Sequence, residues 1–418
     1  MNALSSNIWM GEAGEALAMI RRGVTRLVDL RAEASPPGYA VPVEHFPLQD
    51  EMAGQHAMLS QAARRVAELA QRGEVVGVYC QAGNSRTAAV AALALVHGGT
   101  DLQDALRAVR QARPSAVPAL SLREAMVDLA DGWNQQGLRH EHLKLGDLVL
   151  HAVHRPGLGR RLVLLHGVYG SWTHWQSVLS ELPGVDVWLL DMPGFGESDD
   201  WPGSFDHRRY TEMLAQAVRR VAGAGAVLGG YSFGAYLALA LLDRYPDLAP
   251  AAILVSLAGR VGDASRHWRV EERRFPPHPL FDERLAVVEA NLRAIHFGQP
   301  DNISRKAVYS TYHNIWRTRL GPRRMREARS SRVPPLAALS RVTKPLLMVW
   351  GEHDPYCQPQ VGDWAAACRR VRPDMKTRIV PGAAHWVQEE RPQEVGGLIR
   401  AFVDGVKVPT KEGEEDGL

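Results

Sequence analysis

The chain has 418 residues, room for two or three domains of roughly 150 residues, each able to bury its own core. Its 45% apolar and 23% charged residues, with a mean hydropathy of −0.21, exclude wholesale disorder. The longest apolar runs, such as Ala88 to Val96, are about half of what a bilayer crossing needs, and a net charge of +3 is too small to imply nucleic acid.

Met1 to Met10 shows neither the basic nor the apolar region of a secretory leader. Cys80, Cys357 and Cys368 are too few and too far apart for a disulfide framework and fit a reducing compartment. A cytoplasmic protein is expected. In the first half, Thr25 to Leu30 and Val75 to Tyr79 read as strands, and Ala53 to Gln71, Ala88 to Val96 and Leu102 to Ala112 carry helical spacing. This pattern predicts a small α/β domain over residues 1–131. A polar, glycine-flanked stretch, Gly132 to Gly137, marks a linker placed at 132–142.

The second half, 143–405, opens with the strand Leu148 to His154. It then alternates nearly apolar strands (Leu162 to Leu165, Val185 to Leu190, Ala226 to Leu228, Ala252 to Val255, Leu346 to Trp350) with helices. Such strands are buried on both faces, which predicts an α/β fold with a mainly parallel sheet. Residues 258–340 interrupt the alternation and read as an inserted helical cap. Residues 257–340 hold 16 Lys+Arg against 8 Asp+Glu. The tail, 406–418, ends in an acidic, glycine-containing run and is expected to be disordered.

After the strand ending at Tyr79 comes Cys80-Gln81-Ala82-Gly83-Asn84-Ser85-Arg86-Thr87, followed by a helix of Ala, Val and Leu. Successive backbone N–H groups in such a turn, with the positive end of the helix, form a concavity for an anion the size of phosphate. With Cys80 at its floor, the same dipoles and Arg86 would depress the thiol pKa and leave a nucleophilic thiolate. The planar fork of Arg86 can grip two phosphate oxygens, which Lys could not reproduce. A buried structural cysteine before a helix-capping loop is the alternative.

Cys80-x2-Gly83-x2-Arg86-Thr87 after a strand resembles the signature loop of dual-specificity protein tyrosine phosphatases. Its five-residue gap from Cys to Arg differs from the four usual in rhodaneses. The resemblance covers roughly residues 1–131. It implies that Cys80 is the nucleophile, residues 81–87 cradle phosphate, Arg86 clamps it, and Thr87 assists the thiolate as it leaves. It also implies a general acid upstream on a mobile loop, for which Asp50, 30 residues before Cys80, fits, with Glu51 as the fallback. One departure is Tyr79, which stands where the family usually has His.

In the second half, Gly230-Tyr231-Ser232-Phe233-Gly234 lies between a strand and a helix. Flanking glycines let the chain turn sharply and lift the serine hydroxyl clear of the backbone. A serine alcohol needs a base, and the base an orienting carboxylate. Downstream, Asp354 follows the strand at 346–350, and His385 follows Thr377 to Val380. The order Ser, Asp, His, with His166-Gly167-Val168 after an early strand, resembles the α/β-hydrolase superfamily over 143–405, and Asp191 to Ser198 resembles one of its structural loops. The resemblance implies a Ser232–His385–Asp354 triad with an oxyanion hole from the backbone amides of Val168 and Phe233. With serine as nucleophile, the aspartate-based haloalkane dehalogenase and epoxide hydrolase branches are disfavoured.

His353, His166, Trp172 and Trp175 read as loop or packing residues, and Cys357 and Cys368 as non-functional thiols. In the superfamily the cap selects substrate. Its arginines, including Arg273, Arg274, Arg323, Arg324 and Arg326, suggest an anionic substrate, with a solvated helix surface as the rival. No metal-ligand or dinucleotide-binding spacing is present, so no metal or other cofactor is expected. The sequence therefore predicts a bifunctional hydrolase, an acyl hydrolase for a carboxylic ester or lactone fused to a cysteine-dependent phosphatase. Its partners would be a small-molecule substrate, possibly anionic or phosphorylated, and for the first domain possibly a phosphoprotein, without nucleic acid or membrane. Alternatives are a carbon–carbon bond hydrolase or thioesterase carrying a non-catalytic phosphate-binding module.

Overall fold

The computed structural model describes residues 1–50, 52, 55–130, 138–223, 225–261, 281–316, 318–321, 324, 327 and 333–406. The chain divides into two compact units, Met1–Gln136 and Gly137–Leu418. No helix among the described residues is long and apolar enough to cross a membrane.

The first unit is built on a five-stranded sheet. Its strands are β1 (Asn2–Ala3), β2 (Ile8–Glu12), β3 (Arg26–Arg31), β4 (Val43–Leu48) and β5 (Val76–Cys80), in the spatial order β1-β2-β5-β3-β4. Only the β1–β2 pair is antiparallel. The central strand β5, Val-Gly-Val-Tyr-Cys, is buried along its whole length. Helices Ala16–Arg21, His56–Gln71, Arg86–His97, Leu102–Ala112 and Leu120–Ala130, with a short 3-10 turn at Ala13–Glu15, complete the described part of the unit. Side chains of successive strand residues point to opposite faces. Cys80 accordingly packs with Val76, Val78 and the Ala88–Ala94 helix face, while Tyr79 packs in a separate cluster with Met19, Val24 and Leu27.

The face occupied by Tyr79 holds a buried polar network. Its hydroxyl donates to Asp29 Oδ2 at 2.9 Å, and Arg31 binds the same carboxylate through Nη2 at 2.7 Å and Nε at 3.0 Å. Burial first, and then the Asp29 carboxylate, push the Tyr79 phenol above its ordinary pKa, so it stays a donor.

The second unit carries an eight-stranded sheet: β6 (Arg139–Leu145), β7 (Leu148–Arg155), β8 (Arg161–Leu165), β9 (Asp186–Leu190), β10 (Val227–Tyr231), β11 (Ala252–Val255), β13 (Leu346–Gly351) and β15 (Lys376–Val380). Their order is β15-β13-β11-β10-β8-β9-β7-β6, and a short parallel pair, β12 (Gly259–Arg260) with β14 (Cys357–Gln358), stands apart. Seven of the eight strands point the same way, six of them paired in parallel with one another; β7 is antiparallel to both neighbours. The sheet faces bury two large apolar clusters, the mainly parallel, two-faced layering expected from the apolar strands.

Two boundaries differ from the sequence expectation. Residues 132–137 of the anticipated 132–142 linker lie outside the described residues, whereas Arg139–His142 already belong to β6, paired in register with His151–His154 of β7. This strand is polar and largely exposed, so its edge position gave it no apolar signature. Val406, assigned to the tail, is buried and its carbonyl accepts from Arg160 Nη2 at 2.7 Å; 407–418 lie outside the described residues.

Replacing Tyr79 with Phe leaves the Asp29 carboxylate short of a buried donor. Tyr79→Phe is predicted to destabilise the first unit by about 1–3 kcal/mol in urea denaturation of the full chain.

Candidate active sites

Cys80 closes β5 and is 2% exposed, and Arg86 opens the helix Arg86–His97. The loop between them is pinned from several sides. Asn84 accepts from Ser115 Oγ at 2.8 Å and Arg113 Nε at 3.2 Å, and its carbonyl accepts from Val117 N at 2.8 Å. The Ala82 carbonyl accepts from Arg113 Nη2 at 3.1 Å, and Ser85 Oγ from Ala119 N at 2.8 Å. Gly83 has φ +68°, and a Cβ there would lie 2.7 Å from the Gly11 carbonyl. Both the left-handed conformation and the approach of β2 therefore require glycine. Thr87 is buried and its hydroxyl donates to Gly11 O at 3.4 Å.

Arg86 is the hub of this site. Its Nη1 and Nη2 hold Glu33 in a two-pronged pair at 2.7 and 2.9 Å, and Nη1 also donates to Leu48 O at 3.1 Å. Its Nε lies 3.3 Å from Asp50 Oδ2. Asp50 Oδ1 and Arg86 Nε are both buried without a hydrogen-bond partner among the described residues. Burial acts to lower the guanidinium pKa, but Glu33, Cys80 and Asp50 outweigh it and the pKa is raised. Ala32, Glu33, Gln49, Asp50 and Arg86 line a cleft of about 330 Å³. The structure thus brings Asp50 and Arg86 to one opening; Glu51 lies outside the described residues. Glu33 carries no sequence signal, because it lies on a loop after β3 and meets Arg86 only through the fold.

In the second unit Ser232 sits between β10 and the helix Phe233–Arg244 with φ 52° and ψ −109°. A Cβ at Gly230 would collide with the Gly234 carbonyl, and one at Gly234 with Leu165 O. The two glycines allow a turn so tight that it stores strain at the serine. Ser232 N donates to Val255 O at 2.8 Å. His385 Nε2 lies 2.9 Å from Ser232 Oγ, and His385 Nδ1 lies 2.8 and 2.9 Å from the two oxygens of Asp354. With Nδ1 against a carboxylate, the proton belongs there and Nε2 is left to accept from the serine hydroxyl. His385 and Asp354 are each 3% exposed, and Tyr356 N donates to Asp354 Oδ1 at 2.9 Å.

The loop carrying Val168 abuts this centre, since a Cβ at Gly167 would stand 3.3 Å from Ser232 Cβ. Phe233 is the first helical residue after the serine. Met192 N donates to His166 Nε2 at 3.0 Å while His166 Nδ1 contacts Gly167 O at 2.7 Å, so His166 braces two loops. His353 is exposed, its ring 3.8 Å from Glu352. Trp172 and Trp175 are buried in the core, and burial pushes the Cys357 thiol pKa up and that of Cys368 up to about 12.

Two supports carry no motif. Ser256 Oγ donates to the His385 carbonyl at 2.7 Å. Buried Glu390 accepts three backbone N–H groups, from Ala384 at 2.9 Å, Gly298 at 3.0 Å and Gln299 at 2.8 Å, and so fastens the segment 298–299 to the histidine loop. Of the cap arginines singled out by sequence, Arg273, Arg274, Arg323 and Arg326 lie outside the described residues. Arg319, which was not singled out, is bound to Asp200 and to the carbonyls of Gly196 and Ser198. No cluster suited to a metal ion occurs among the described residues.

Residues 162–397 match the alpha/beta hydrolase family, and residues 25–131 match the dual specificity phosphatase catalytic domain. The chain is 26% identical over 257 residues to a 2-(acetamidomethylene)succinate hydrolase of Mesorhizobium japonicum, spanning 60% of this chain and 91% of that protein. It is 24% identical over 272 residues to epoxide hydrolase 3 of Xenopus tropicalis, spanning 58% and 71%. Among solved structures, a bacterial membrane phospholipase A superposes with a TM-score of 0.58 at 19% identity, over 69% of this chain and 93% of the other. The chain belongs to the alpha/beta hydrolase family and carries, ahead of that domain, a dual-specificity phosphatase domain.

Proposed function

We propose that the second domain is a serine acyl hydrolase acting on a carboxylic ester or lactone. The observation that carries this reading is the continuous Ser232–His385–Asp354 chain of contacts. His385 Nε2 takes the Ser232 proton as the oxygen attacks the acyl carbon, Asp354 stabilises the imidazolium, and the amides of Val168 and Phe233 receive the oxyanion. His385 then protonates the leaving alcohol, and water activated by the same imidazole releases the acyl group. Serine at 232 separates this site from an aspartate-nucleophile epoxide hydrolase, despite the likeness to one in sequence.

The first domain is read as a cysteine-dependent phosphomonoesterase. Cys80 attacks phosphorus, Asp50 protonates the departing oxygen, and water hydrolyses the thiophosphate. Glu33 occupies the outer prongs of Arg86, which leaves the Nε edge turned toward Asp50 for phosphate. A small phosphorylated molecule or a phosphoprotein would be its substrate, and both activities belong to a cytoplasmic enzyme in this reading.

On p-nitrophenyl acyl esters, Ser232→Ala is predicted to abolish turnover and Asp354→Asn to lower kcat about ten-thousandfold, both leaving p-nitrophenyl phosphate hydrolysis unchanged. An Asp354→Asn rate within tenfold of the parent would contradict the assigned role. On p-nitrophenyl phosphate, Cys80→Ser is predicted to abolish turnover and Arg86→Lys to lower kcat/KM about a hundredfold, with ester hydrolysis intact; undiminished phosphate turnover in Cys80→Ser would refute the thiolate mechanism.

A further inference from the structure

A second histidine stands beside the serine centre. His296 ends a π-helical turn, Leu292–His296, in the inserted region; such wide turns occur mostly as single-turn insertions in α-helices, frequently at functional sites. Its ring centroid is 5.7 Å from that of His385 and 6.2 Å from that of Trp386. Its backbone is registered to the histidine loop, because Trp386 N donates to the His296 carbonyl at 2.9 Å and the next two residues but one, Gly298 and Gln299, are held by Glu390. The ring is therefore placed by main-chain contacts on both sides.

His296 Nδ1 is nevertheless buried without a hydrogen-bond partner among the described residues. A buried polar atom left unpaired costs on the order of 1–3 kcal/mol, so its retention beside the reacting groups points to a partner that arrives with the substrate. Burial, and next the charge of His385, hold His296 down to about 3, so the ring is neutral near pH 7. A neutral imidazole suits an uncharged oxygen better than a carboxylate. His385 delivers its proton to the leaving oxygen, and its ring neighbour is His296, so a leaving alcohol held at His385 would come near the His296 ring.

Resting on the acyl-hydrolase reading, we propose that His296 is a specificity-determining residue that hydrogen-bonds a hydroxyl of the leaving alcohol, so that the second domain prefers esters of polyols to esters of simple alcohols. This oxygen would pair with Nδ1 once the substrate is bound. A site with a polar group waiting for a substrate hydroxyl discriminates against analogues lacking it.

The test compares ethylene glycol monoacetate with propyl acetate, which yield the same acetyl-enzyme, so any difference arises in acylation. The parent is expected to favour the glycol ester by about tenfold in kcat/KM. His296→Phe keeps a ring and removes the nitrogen; it is expected to lose that preference, the ratio of the two kcat/KM values falling to about one. His296→Asn, whose amide reaches the position of Nδ1, is expected to restore most of it. Equal labelling of Ser232 by a fluorophosphonate in parent and variants shows that the serine centre is intact. A glycol preference that persists in His296→Phe, or a parent that hydrolyses both esters equally well, would overturn the proposal alone. A parent with no activity on either ester would overturn the acyl-hydrolase reading, and the proposal with it.

Discussion

The second domain depends on one strained residue. Ser232 holds φ 52° and ψ −109°, a conformation that costs a non-glycine residue on the order of 1–3 kcal/mol. It persists because its amide is bound to Val255 O and its carbonyl accepts from Tyr236 N at 3.1 Å, while glycines at 230 and 234 let helix, turn and β8 close in. The parallel sheet supplies the rest. β10, β11, β13 and β15 are successive neighbours pointing the same way, so Ser232, Ser256, Asp354 and His385 all emerge at one carboxyl edge. Ligand sites in open α/β sheets form at this edge.

The first domain uses a different device for the same end. Cys80 also ends a central parallel strand and the next helix starts six residues later, but the loop is held by outside residues such as Arg113, Ser115 and Ala119. Charge organises its mouth, where Arg86 is shared between Glu33 and Asp50. Tyr79 points away from that mouth, since strand alternation sends it to the opposite face and into the Asp29–Arg31 network.

The buried strands were legible because two-faced burial writes them as apolar runs: Ala252–Val255 lies where the sequence places it, and β8, β9, β13 and β15 differ by a residue at an end. The turns at 80–87 and 230–234 were legible because glycine is required at fixed offsets in each, at Gly83 and at Gly230 and Gly234. Strands β2, β4 and β6 were not read from sequence; β4 and β6 have partly exposed faces and polar residues that blur the period. Glu33, His296 and Glu390 were equally silent, since each acts through a partner far along the chain: 53 residues away for Glu33 and Arg86, and 92 for Glu390 and Gly298. Composition suggested an anionic substrate from the cap arginines, most of which lie outside the described residues.

Acyl transfer at the serine centre requires that Ser232 become covalently acylated. Rapid mixing with p-nitrophenyl acetate, followed by acid quench and peptide mass analysis, tests this directly. The predicted result is a burst of nitrophenolate approaching one equivalent per chain, with the acetyl group on the peptide containing Ser232. Linear release without a burst, together with an acetyl group found on another residue or on none, would contradict it.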